Sequence, residues 1–219
     1  MPFPLTHLLV AGLIMGDLRR EDMGAFLLGA IAPDGVHYRD AFLGAGMVDI
    51  GPAKKVTHLC PVSGERWGQI TDNAGWEMRL RDFAAANRGS ALHLGYALHG
   101  LTDIYNNAGL WNDFRTNHPV EAAKGYSSDY YRDLRSIDAR LYLEEFKGSE
   151  IPGLLAAAQG QDLPGLVTAA EMHAIRDNLL NVQYAGVEAV PVAEYRFVTY
   201  EAVLASVKGA AEYAAGVIL

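Results

Sequence analysis

Residues 91–105, Ala-Leu-His-Leu-Gly-Tyr-Ala-Leu-His-Gly-Leu-Thr-Asp-Ile-Tyr, constrain the fold of this chain most, because they place two metal-type ligands, His99 and Asp103, inside an apolar helical pattern. Four residues apart, the two side chains lie about 40° apart around a helix and one turn along it, so they converge. Leu92, Tyr96, Leu98, Leu101 and Ile104 surround them, which buries the helix on most sides and makes an unpaired carboxylate costly. A metal ion removes that cost. So does a plain His–Asp hydrogen bond, and the pair by itself does not choose between them. His93 lies about 240° away around the helix and reads as an ordinary helix histidine.

This helix, running from Ser90 as N-cap to about Asn106, belongs to a chain that reads as helical almost throughout. Residues 5–18 form a first amphipathic segment after Pro4, with His7 in its first turn. Residues 20–32 form a second, stopped before Pro33, so that Asp34 falls in a Pro-Asp-Gly turn. Residues 36–61, broken by Gly44, Gly46, Gly51, Pro52 and Pro61, read as a long loop carrying His58, Lys54 and Lys55, with both lysines on a solvated surface. Residues 63–87 read as helix with Trp67, Ile70, Trp76, Leu80 and Phe83 as its core stripe. Further helices are expected after Pro119, over residues 130–146, 154–158, 163–180 and 202–218. Residues 187–200 show some alternation, which Pro191 weakens as a strand. The expected fold class is all-α, a single-domain multi-helix bundle spanning residues 1–219.

Composition narrows the partners. The formal net charge of −8 argues against a basic groove for long nucleic acid, although three divalent ions would reduce it to about −2 and make one cleft locally positive. Small phosphate esters remain compatible with that charge. Cys60 is the one cysteine, so no intramolecular disulfide is expected. The apolar N-terminal run has no Lys or Arg ahead of it, and no run reaches the length of a membrane span; the reading is a mature start and a cytoplasmic protein.

Taken singly, His7, Asp34, His58, His99 and Asp103 are ordinary helix or turn residues. Their types, imidazole and carboxylate without thiolate, are those that Zn²⁺ selects, but spacing alone does not bring them together. In order, Pro-Leu-Thr-His7, Phe-Leu-Leu-Gly-Ala-Ile-Ala-Pro-Asp34, Val-Thr-His58-Leu and Leu-Gly-Tyr-Ala-Leu-His99-Gly-Leu-Thr-Asp103-Ile-Tyr resemble the zinc-dependent phospholipase C family, whose all-α fold is shared by single-strand-specific nucleases of the S1/P1 type. The resemblance covers roughly the first half of the chain.

It implies that Asp34, His58, His99 and Asp103 hold one zinc and that Asp103 bridges to a second, held by His7 and by an N-terminal backbone freed when Met1 is removed. A third ion would use His118 and Glu121, with Asp133 as another carboxylate. Here the chain departs from the family, since Gly109 stands where a histidine is expected and His118-Pro-Val-Glu121 is one residue short of His-x-x-x-Glu. The implied activity is hydrolysis of a phosphate ester by a metal-activated water, with one to three Zn²⁺ ions and Asp34 orienting or deprotonating the water. Lipid headgroups, soluble phosphomonoesters and short single-stranded nucleotides all fit such a site, with Arg39, Lys54, Lys55 and Tyr105 as conceivable phosphate contacts. The competing expectation is a non-catalytic helical binding or scaffold protein that retains one structural metal.

Overall fold

The computed structural model describes residues 3–40, 42–43, 50–61, 67–189 and 194–219. Helix α1 (Pro4–Ile14) opens with Pro4 in its first turn, where the missing N–H has no intrahelical partner to lose. Helix α2 (Arg20–Ile31) gives way at Pro33 to a 3₁₀ segment, Ala32–Tyr38, that carries Asp34. The remaining helices are α3 (Gly51–Thr57), α4 (Asn73–Ala86), α5 (Ala91–Ala108), α6 (Leu110–Asn117), α7 (Pro119–Ala122), α8 (Asp129–Leu141), α9 (Ile151–Ala157), α10 (Ala169–Asn178) and α11 (Tyr200–Ile218). Helices α8 and α10 each widen into a π-helical turn, at Tyr142–Phe146 and Leu179–Gln183. Among the described residues there is no strand, only an isolated bridge between Leu163 and Val167. No helix among them is long and apolar enough to cross a membrane.

Three expectations change. The long loop of residues 36–61 contains α3, because Pro52 occupies a first-turn position and starts a helix there instead of breaking one. Helix α4 begins only at Asn73, where Asp72 caps it by accepting from the Gly75 N–H at 2.9 Å; residues 63–66 of the expected helix lie outside the described residues. Helix α10 begins at Ala169 and not at residue 163. Thr168 and Glu171 form a reciprocal capping box, and Gly165 at φ 77° turns the chain just before it. The alternating stretch near Pro191 includes residues 190–193, also outside the described set.

Helix α5 lies at the centre, with α2, α4, α11 and α1 around it. The tightest crossing is with α2, and reciprocal glycines make it. A Cβ built on Gly95 would stand 2.0 Å from the Phe26 carbonyl oxygen, and one on Gly29 would stand 2.1 Å from that of Leu92. Backbone therefore meets backbone, which only residues without a Cβ permit. The apolar positions of α5, with Phe26, Leu27, Leu28, Ile31, Trp76 and Leu80, fill the surrounding core.

Elsewhere in the core, the buried Asp138 accepts a hydrogen bond from the Tyr184 hydroxyl at 2.5 Å, while its Oδ1 has no partner among the described residues. Burial pushes its carboxyl up to about 7. An acid whose folded pKa is raised contributes stability below its unfolded value, near 3.8, and loses it as pH rises toward 7. Asp138→Asn, which keeps an acceptor for Tyr184, is therefore expected to match the wild type at pH 4 and to exceed it at pH 8 by on the order of 2–4 kcal/mol. Urea unfolding at the two pH values checks this; parallel stabilities would show that Asp138 is ionised at no cost.

Candidate metal centre

Four segments deliver five buried donors to one place. Helix α1 brings His7, the 3₁₀ turn after α2 brings Asp34, the C-cap of α3 brings His58, and α5 brings His99 and Asp103. All five are buried. Each position follows from local chemistry. Trp76 Nε1 donates to the His58 carbonyl at 2.7 Å and the Tyr96 hydroxyl donates to that of Thr57, so the end of α3 is pinned into the core from behind.

Two of the histidines are fixed in one tautomer. His99 Nδ1 lies 2.8 Å from the Ala30 carbonyl, and His58 Nδ1 lies 2.8 Å from the Lys54 carbonyl. A carbonyl only accepts, so each Nδ1 carries the proton and each Nε2 presents a bare lone pair. These two Nε2 atoms face one another at 3.0 Å. Two lone pairs at that distance repel unless a cation or a proton lies against both. Ligand nitrogens of one tetrahedral zinc, at Zn–N of roughly 2.0–2.1 Å, stand about 3.3 Å apart.

The carboxylates complete the pattern. Asp34 Oδ1 is 3.4 Å from His58 Nε2, and Asp103 Oδ2 is 3.8 Å from the Nε2 of both His58 and His99. The other oxygen of Asp103 faces His7 Nε2 at 3.7 Å. Both oxygens of Asp103 and both ring nitrogens of His7 are buried without any hydrogen-bond partner among the described residues. Such atoms are costly to bury unpaired. A cation satisfies all of them at once, and the residues fit one. Asp34, His58 and His99 form one group able to hold a metal ion; His7, His99 and Asp103 form a second, with the His7 ring stacked on His99 at 3.8 Å between centroids.

The electrostatics agree with that fit. Burial drives the imidazoles toward neutrality, His58 to about 3, His99 to about 4 and His7 well below its ordinary value, so all three stay neutral, as ligands must be. Burial also pushes Asp103 up to about 7. Burial works the same way on Asp34, but the charge of Lys54 beside it outweighs burial, and Asp34 is held well below the usual carboxylate range.

Lys54 itself is the residue that sequence reasoning misplaced. It is buried, not solvated, with Nζ 2.8 Å from Asp34 Oδ1, 3.3 Å from His37 Nε2 and 5.0 Å from the Trp67 ring centroid. The signal was present: once Pro52 starts a helix, Lys54 and His58 are one turn apart on the same face.

The residues considered for a third ion go elsewhere. His118 is exposed and packs its ring against Phe114 and Phe197, while Glu121 accepts from the Asp129 N–H at 2.7 Å and pairs with Lys124 at 2.5 Å. Asp133 accepts from the backbone N–H groups of Arg196 and Phe197, each at 2.8 Å. None joins a metal-capable group among the described residues. Arg39 pairs with Glu171 at 2.6 Å and Tyr105 lies against Gly209 of α11, so neither faces the centre; Lys55 is half-buried. Met1 and Pro2, invoked for the second ion, lie outside the described residues.

No family model matches the chain, and no curated protein or solved structure matches it.

Proposed function

We propose that this chain is a metal-dependent phosphoric-ester hydrolase of the phospholipase C kind, with zinc held by His7, Asp34, His58, His99 and Asp103. The observation that carries the reading is the set of buried, hydrogen-bond-free donor atoms on His7 and Asp103 beside two opposed imidazole lone pairs. When bound, zinc at such donors supplies a Lewis acid for the phosphoryl oxygens and lowers the pKa of water toward neutrality. The protein's own groups do the rest. The Ala30 and Lys54 carbonyls orient His99 and His58, and Asp34, held ionised, accepts a hydrogen bond from the attacking water and aims it. The depressed basicity of Asp34 makes it an orienting group more than a proton acceptor.

The test is turnover by zinc-loaded protein of bis(p-nitrophenyl) phosphate, p-nitrophenyl phosphate and phosphatidylcholine vesicles. Turnover that falls at least 100-fold in Asp34→Asn, with the fold intact, is the expected result. Full metal occupancy without turnover of any of the three would overturn the reading. It would favour the second one, a helical binding protein with a structural metal, which the engagement of His118 and Glu121 away from the centre supports.

A further inference from the structure

Two carboxylates enter the cluster, Asp34 and Asp103, and among the described residues one positive side chain, Lys54, enters with them. If Lys54 served only to support a buried carboxylate, Asp103 would need it more, since neither Asp103 oxygen has a hydrogen-bond partner among the described residues; yet Nζ bonds Asp34 Oδ1 and His37 Nε2 instead. That position is the edge of the centre. The Lys54 side chain keeps 9% of its exposure, Asp34 8% and the His37 ring 41%, while His7, His58, His99 and Asp103 keep 0–2%, so the site meets solvent on the Lys54–His37 side. Tyr126, exposed on the same side, lies within electrostatic reach of Lys54, Asp34 and Asp103. Trp67 lies 5.0 Å from Nζ and packs edge-on against His58 at 4.6 Å, bracing the ammonium beside the histidines.

The geometry points to Lys54 as the cation that holds a non-bridging phosphate oxygen at the mouth of the metal centre, taking the place of a further metal ion. This rests on the hydrolase reading above and adds to it the group that recognises the substrate's charge. An ammonium has three donors, of which Asp34 and His37 engage at most two among the described residues, and it binds a phosphate oxygen as a point charge. The chemical class of ligand is a phosphate monoanion or dianion, whether free or at the end of an ester. Among the described residues His118 and Glu121 join no metal-capable group, and Lys54 is the cation that stands at this edge.

The probe is inorganic phosphate, titrated calorimetrically into zinc-loaded wild type, Lys54→Gln, Lys54→Met and Lys54→Arg, with zinc measured on each sample and folding checked by circular dichroism. Lys54→Gln and Lys54→Met are expected to keep the wild-type zinc content and to bind phosphate at least tenfold more weakly, with Lys54→Arg within about threefold of wild type. Unchanged phosphate affinity in either neutral variant, or wild type that binds zinc but no phosphate, would overturn this inference and leave the hydrolase reading standing. Loss of zinc from both neutral variants would overturn it too, making Lys54 a support for the metal ligands. Wild type that takes up neither zinc nor phosphate would remove both.

Discussion

His99→Ala is expected to lose metal from the whole centre, whereas His7→Ala is expected to lose it from one half. His99 belongs to both metal-capable groups, while His7 belongs to one, so the two single substitutions separate a shared ligand from a peripheral one. The measurement is elemental analysis of untagged protein reconstituted with zinc and dialysed. Background zinc in His99→Ala with partial occupancy in His7→Ala is the predicted pattern. Thermal unfolding gives a second readout, because a ligand that binds only the folded state stabilises it by about 2.7 kcal/mol at one hundred times its Kd, a gain that His99→Ala forfeits. Wild-type occupancy in His99→Ala would refute the assignment. Complete loss in His7→Ala would mean that the five donors act as one indivisible site.

Gly95→Ala is the second large effect. In an exposed helix this change stabilises, by up to about 1 kcal/mol of helix propensity. At Gly95 the new methyl would stand 2.0 Å from the Phe26 carbonyl and 3.0 Å from the Ala30 N–H, both backbone atoms that move only if the helices part. A net loss of about 3 kcal/mol is expected, near the upper end for overpacked cores, lowering Tm by on the order of 6–12 °C. The metal centre should weaken with it, because His99 is tied to the Ala30 carbonyl across that same crossing. Gly153→Ala in α9, where nothing lies within 4 Å of the new methyl, supplies the contrast and should be neutral or stabilising. Equal melting temperatures for the two variants would show that α2 and α5 can separate without cost.

How much of this could be read from the sequence depended on whether a signal was local. The helical class, the central helix and the stop before Pro33 follow from apolar periodicity and from proline, both of which act within a turn or two. Asp34 and His58 are legible as partners only through the resemblance, since no local rule says that a 3₁₀ turn and the end of a seven-residue helix meet over α5. Lys54 looks solvated in the sequence because Gly51-Pro52 is ambiguous on its own: the pair that ends one helix also begins another, and only the fold decides. The capping box at Thr168 and Glu171 was written plainly in the chain, and apolar residues ahead of it hid the boundary. Glu121 and Asp133 illustrate the opposite error, carboxylates of suitable type that satisfy backbone N–H groups instead.

The three histidines are not held alike. His58 and His99 are each anchored by a backbone carbonyl, whereas among the described residues His7 has no hydrogen-bond partner on either nitrogen and keeps its place by stacking on His99. Outer partners of metal-bound imidazoles are worth roughly 10–100-fold in affinity. With metal bound as proposed, the centre would be graded: the half containing His58 would capture its ion first and give it up last, and the half containing His7 would fill only as supply rises. Within one fold, the chain has the makings of a tight site and a loose one that share a wall.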